Sequence, residues 1–219
     1  MESIKSNNHV NLIGTAADVC SFSHEVYGEG FYTFPLKVKR LSDNFDTIPV
    51  TVSDRLLDVE TITEGVTLYI SGQLRSYNHY SSKKNKLVLT VFARSISFDE
   101  TDDYSSNEIF LNGFICKKPV YRTTPFGREI TDMLVAVNRN YGKSDYIPCI
   151  AWGRNARYIA NLEVGANIHI WGRMQSRIYQ KRIGEEVEER VAYEVSVAKI
   201  ELPHKAEREA EEKGADEMV

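Results

Sequence analysis

The chain repeats itself at a distance of about one hundred residues, and this self-match constrains its fold more than any other feature. Asp46-Thr47-Ile48-Pro49 returns as Asp145-Tyr146-Ile147-Pro148, and Gly14 returns as Gly113, both at an offset of 99. Gly65 and Gly72 return as Gly165 and Gly172 at an offset of 100, and Gly72-Gln73-Leu74-Arg75-Ser76 matches Gly172-Arg173-Met174-Gln175-Ser176. Solenoid repeats run at about 20–50 residues, so a period this long marks two whole domains. Agreement between the copies reports the fold, and disagreement between them is where function is to be sought.

Two units of about 100 residues sit near the modal domain size and can each hold a small core. No apolar run approaches the roughly 20 residues that span a bilayer, which predicts no membrane partner. The N-terminal stretch lacks an apolar signal region, pointing to a cytoplasmic, nucleoid-associated location. Cys20, Cys116 and Cys149 have no C-x-x-C spacing and read as small buried hydrophobes.

Charge is unevenly placed. The whole chain carries −4, yet residues 106–203 hold 14 Lys and Arg against 11 Asp and Glu, while residues 1–105 hold 10 against 14. A polyanion docks where local charge allows it, so the second copy is the candidate.

Each copy reads as short strands of period two bounded by Gly, Pro and Asn/Asp/Ser clusters. In the second copy the inward positions are Ile109 and Leu111, Met133, Val135 and Val137, Ile168 and Ile170, then Val191 to Val197. The first copy answers with Val10 and Leu12, Phe34 to Val38, Leu68 and Ile70, then Leu87 to Val91. One stretch per copy breaks the alternation. Residues 155–162 suit a short helix, and residues 55–64 form a poorer one in the same slot. Three strands, a helix and two strands predict an all-β chain of two tandem OB-folds, each a five-stranded Greek-key barrel with one short helix. The expected boundaries are 1–98, an acidic linker 99–107, 108–203, and an acidic tail 204–219 that is disordered or a frayed helix.

With the strands in place, the second copy resembles the bacterial single-stranded DNA-binding protein family. Ile109 to Gly113, Leu134-Ala136-Val137-Asn138-Arg139, Asp145 to Gly153 and Gly165 to Arg177 followed by Tyr179 carry the likeness. The first copy is a looser match. The resemblance implies sequence-independent binding of single-stranded DNA in replication, recombination and repair. It also implies a homodimer of two-OB chains that presents four OB-folds. The family's closing Pro-Phe is missing from the tail, so recruitment of replication or repair proteins through that tip is an open expectation.

Sequence-tolerant binding of a single strand needs aromatic faces for bases and cations for phosphates. Tyr141, Tyr146, Trp152 and Tyr179 stand where the resemblance implies stacking rings, interleaved with Arg139, Lys143, Arg154, Arg173, Arg177, Lys181 and Arg182. The competing reading is core packing. The repeat separates the two, because Tyr141, Tyr146 and Trp152 align with Ser42, Thr47 and Ser53. Three core rings lost together would cost roughly 3–5 kcal/mol each, whereas such changes are tolerated on a surface. Trp171, opposite in sense to Ile168 and Ile170, belongs outside the barrel, against DNA or in a subunit or inter-domain contact. The first copy offers weaker candidates in Lys37, Lys39, Arg40, Arg75, Tyr77, Lys83 and Lys84, with Phe45 and Tyr80. Its loop before the last strand is about four residues shorter, and it is expected mainly to support assembly.

No catalytic motif, cofactor motif or metal-ligand spacing occurs, so an enzyme is not expected. Two alternatives stay open: a primosome-like OB module that contacts protein, and an RNA-binding OB protein.

Overall fold

The computed structural model describes residues 7–40, 42–81, 84–98, 106–183 and 186–203. Most of the expected linker and the tail 204–219 lie outside the described residues. Twelve strands form one continuous hydrogen-bonded system. The first copy supplies β1 (Asn8–Ala16), β2 (Ser21–Val26), β3 (Glu29–Lys39), β4 (Phe45–Ser53), β5 (Thr67–Ser81) and β6 (Lys84–Ser97). The second supplies β7 (Asn107–Ile115), β8 (Val120–Thr123), β9 (Glu129–Asn138), β10 (Ser144–Trp152), α1 (Gly153–Ile159), β11 (Asn167–Ile183) and β12 (Glu186–Glu201).

Five strands of each copy close on themselves. In the first, β1 pairs with both β5 and β3, β3 with β4, β4 with β6 in parallel, and β6 with β5. In the second, β7, β9, β10, β12 and β11 close the same circuit. This is the OB barrel, and the described residues are all-β with one α-helix. Inward positions at matched offsets fill both barrels: Leu12 and Leu111, Leu36 and Val135, Ile48 and Ile147, Ile70 and Ile170, and Leu74 and Met174 are all fully buried. Burial of each such side chain contributes about 1.5–3 kcal/mol.

The repeated glycines mark where backbones touch. At a bulge in each long hairpin, a Cβ on Gly72 would collide with the Phe92 carbonyl oxygen, and one on Gly172 with that of Ser196.

Three features differ from the sequence reading. An additional strand, β2 or β8, lies at each outer edge; all of its residues are exposed, so it shows no hydrophobic alternation. The expected helix of the first copy is only a 3-10 turn at Val59–Thr61, capped by Asp58. Val59, Thr61, Ile62 and Thr63 are β-branched and lose side-chain freedom in a helix, while α1 forms with Ala156 and Ile159 buried. The acidic residues Glu186, Glu188 and Glu189 belong to strand β12, with Glu188 opposite Lys181. The β11–β12 hairpin is longer than β5–β6 by two residues on each strand, which accounts for the four-residue difference. The linker is also shorter than expected, because β7 opens at Asn107.

The barrels join through antiparallel β1 and β7, with Asn8 opposite Leu111, Val10 opposite Ile109 and Leu12 opposite Asn107. Since 8 and 107, and 12 and 111, are equivalent positions, the junction is two-fold in register. Asn8 and Asn107 act alike as well: each side chain grips both backbone groups of Leu74 or Met174 in its own barrel.

Candidate nucleic-acid interface

Directly paired residues on neighbouring strands share a face, and successive residues alternate. In the second barrel this rule draws a row Arg173, Ser196, Ile150, Asp132 and Val120 across β11, β12, β10, β9 and β8. A neighbouring row runs Trp152, Ile130 and Arg122. Two-residue steps along the strands bring Tyr146, Arg177 and Tyr179 to the same outer face. Tyr146 is 46% and Trp152 39% exposed, whereas Ile130 and Ile150 between them are buried. The Arg177 guanidinium lies 5.7 Å from the centre of the Tyr179 ring. Rings and cations from three strands, β8, β10 and β11, thus share one surface on an apolar floor.

Tyr141 projects from the β9–β10 connection, almost wholly exposed. Its backbone is left-handed, at φ 63°, a conformation that is strained for a bulky side chain.

The cations divide. Lys143, Arg154 and Arg182 are exposed and make no ion pair among the described residues. Arg177 lies 3.7 Å from Glu194, and Arg173 lies 4.0 Å from Asp46. Glu194 and Asp132, on this same face, were missed by the sequence reading; Asp132 is paired with Arg122 at 2.6 Å.

Arg139 is placed differently from the sequence expectation. Its guanidinium binds both oxygens of the fully buried Asp145 and donates to the Ser76 carbonyl of the other barrel. Arg75 also reaches Asp145, at 3.0 Å. In the mirror arrangement, Arg40 binds Asp46 and the Ser176 carbonyl. Arg139, Arg75 and Arg40 are therefore committed to the inter-barrel junction, Arg139 and Arg75 sharing Asp145 and Arg40 held by Asp46. Burial disfavours ionised Asp46, but the Arg40 hydrogen bond, the Ser176 amide and charge attraction outweigh it and hold the carboxyl below its ordinary range.

Among the weaker candidates, Lys37 and Lys39 are exposed on β3, and Tyr77 is exposed on β5. Lys83 lies outside the described residues, and Lys84 and Lys181 are placed by backbone register alone. Trp171 packs on Phe110 and His169 outside the barrel, with the Lys199 ammonium 4.5 Å from its ring centre. Beside it, a cavity of about 430 Å³ straddles the junction, lined by His9, Asn11, Phe110 and Trp171 among others. Burial raises the Cys20 thiol to about 11 and also raises that of Cys149.

A five-stranded barrel bearing rings and cations on one outer face defines the second copy as an OB-fold. Residues 106–203 match the single-strand binding protein family. That family is one of binding proteins, not of enzymes.

The chain is 34% identical over 88 residues to single-stranded DNA-binding protein A of Bacillus subtilis, covering 37% of this chain and 51% of that protein. Against single-stranded DNA-binding protein 1 of Staphylococcus aureus (strain COL) the identity is 35%, with coverage of 37% and 53%. The chain thus spans about half the length of the curated relatives it matches. The crystal structure of the wild-type single-stranded DNA binding protein from Thermus aquaticus superposes with a TM-score of 0.73 at 20% identity, over 90% of this chain and 93% of that one. That likeness extends the shared fold across both barrels.

Proposed function

We propose that the chain binds single-stranded DNA without sequence preference, by stacking bases on aromatic rings and pairing phosphates with Lys and Arg. The observation that carries this reading is the common outer face of Tyr146, Trp152, Arg173, Arg177 and Tyr179. Rings and cations on one face suit a flexible polyanion whose bases are free to stack. The phosphate contacts are assigned to Lys143, Arg154, Arg173, Arg177 and Arg182. Tyr141, held in a strained conformation at full exposure, adds a ring at the edge. The protected strand would arise in replication, recombination and repair, which places the protein in the cytoplasm with the nucleoid.

Tryptophan fluorescence tests this reading, because the chain has only Trp152 and Trp171. Oligo-dT should quench the signal, and Trp152→Ala with Tyr179→Ala should abolish tight binding. Binding to oligo-dT that is indifferent to both substitutions would overturn the reading.

The assembly follows as a second proposal: two chains pair to present four OB-folds. Support comes from the outer face of the junction, where Phe110, His169 and Trp171 cluster and two buried polar atoms, Asn11 Oδ1 and His169 Nε2, have no hydrogen-bond partner. Light scattering on the purified chain should give twice the 25.0 kDa chain mass. A monomer at micromolar concentration would refute it.

A further inference from the structure

The first barrel lacks the rings of the second at their own positions, but its outer face is not bare. The same register rule gives a row Gln73, Phe92, Thr51, Thr33 and Ser21 across β5, β6, β4, β3 and β2. This is the counterpart of the row from Arg173 to Val120. Phe31, two residues before Thr33 and opposite Ser53, shares that face. Phe31 occupies the slot of Ile130, and Phe92 the slot of Ser196.

Four planar groups line up there. His24 on the edge strand stacks on Phe31 at 4.9 Å between ring centres and 16° between planes. Phe31 lies 5.9 Å from Phe92, and the Arg94 guanidinium lies 5.6 Å from the Phe92 ring centre. His24 and Arg94, at the two ends, are exposed. Nearby carboxylates are already engaged: Glu29 by Ser53 and Arg55, Asp54 by the Gly30 amide. Further along β3 the same face carries the exposed Lys37 and Lys39.

We propose that this ladder, Arg94–Phe92–Phe31–His24, is a second platform for the bases of a single strand, built on different strands from that of Trp152. The proposal rests on the DNA-binding reading of the second barrel and deepens it. A nucleobase extends the stack beyond His24 or Arg94, and Lys37 and Lys39 follow the backbone. Because every base has a π-face, rings at non-equivalent positions serve equally well. The two barrels therefore share the strand through different residues. The first barrel contributes contacts as well as architecture.

The test uses the full chain, read by Trp152 fluorescence, with oligo-dT of roughly 8 nucleotides, enough for one barrel, and of roughly 35, enough to cross both. Phe31→Ala with Phe92→Ala should weaken the long oligomer about tenfold or more, from the known loss per stacked base. It should also shorten the length occluded per chain and leave the short oligomer within about twofold. His24→Ala, an exposed edge position, keeps the test decisive should the double variant fold poorly, and is expected to weaken the long oligomer about fivefold. Unchanged affinity and occluded length in His24→Ala overturn the ladder while leaving the second barrel's role intact. Failure of the unmodified chain to bind either oligomer overturns the DNA-binding reading instead.

Discussion

The carboxylate of Asp46 in the first barrel accepts a hydrogen bond from the Ser176 amide of the second at 2.7 Å. Asp145 does the same for Ser76 in the opposite direction, at 2.5 Å. Each carboxylate is also held by the arginine six residues before it, Arg40 or Arg139, which in turn donates to the same serine's carbonyl. A pair of charged clips, related by the repeat, thus fastens the barrels beside the β1–β7 ladder.

Removing one partner of a buried ion pair leaves the other uncompensated, which costs about 3–5 kcal/mol. Asp145→Asn should therefore destabilise the chain by about that amount in a denaturant titration. Replacing Arg75, Arg139 and Asp145 together by apolar residues of similar volume should cost less than Asp145→Asn alone.

The clip at Asp46 makes stability depend on acid. Its folded pKa lies below the ordinary value, which is about 3.9 for an unfolded aspartate. The contribution is complete above that value and disappears as pH falls through the folded pKa. Thermal midpoints should drop on acidification below about pH 4, and Asp46→Asn should flatten that drop. An equally steep fall in the variant would assign the acid sensitivity elsewhere.

Arginines in the clips and cations on the open face should separate by salt dependence. Each phosphate contact contributes about 0.7 to the slope of log K against log salt on a single strand. Substituting Lys143, Arg154 or Arg182 by Gln should reduce the slope by about that much at unchanged stability. Arg139→Gln should lower stability while leaving the slope as it was.

Gly172→Ala should destabilise the protein, because the added methyl meets the Ser196 carbonyl oxygen across the bulge. Overpacking of this kind costs about 1–3 kcal/mol. Gly72→Ala, facing the Phe92 carbonyl, should behave alike. A neutral result at either site would mean that the bulge relaxes freely.

Much of the barrel was legible because inward positions alternate and recur. Leu12 with Leu111 and Ile48 with Ile147 needed only the period and the offset. The edge strands β2 and β8 were not legible, since a strand exposed on both faces has no alternation to read. Most of the rings of the second-barrel face were legible too, through their loss at Ser42, Thr47 and Ser53. Arg139 was misread, although the copies themselves held the signal. Arg40 and Arg139 agree at an offset of 99, and each precedes an equivalent aspartate by six residues. By the rule that agreement reports the fold, they belonged with the architecture.

The sequence by itself determined a doubled all-β chain, its paired cores, and a basic, ring-bearing second half. Those properties follow from periodicity, composition and local turn chemistry, all of which act over a few residues or over one repeat. Only the tertiary structure decided which cations remain available. Arg139 and Arg154 look alike in one dimension, but the first faces a buried carboxylate more than 60 residues from the serine it grips, and the second faces water. The same holds for Phe31 and Phe92, which become one ladder only when β3 and β6 flank β4. Charge neutralisation and ring stacking depend on distance in space, and that distance is set by how the strands close.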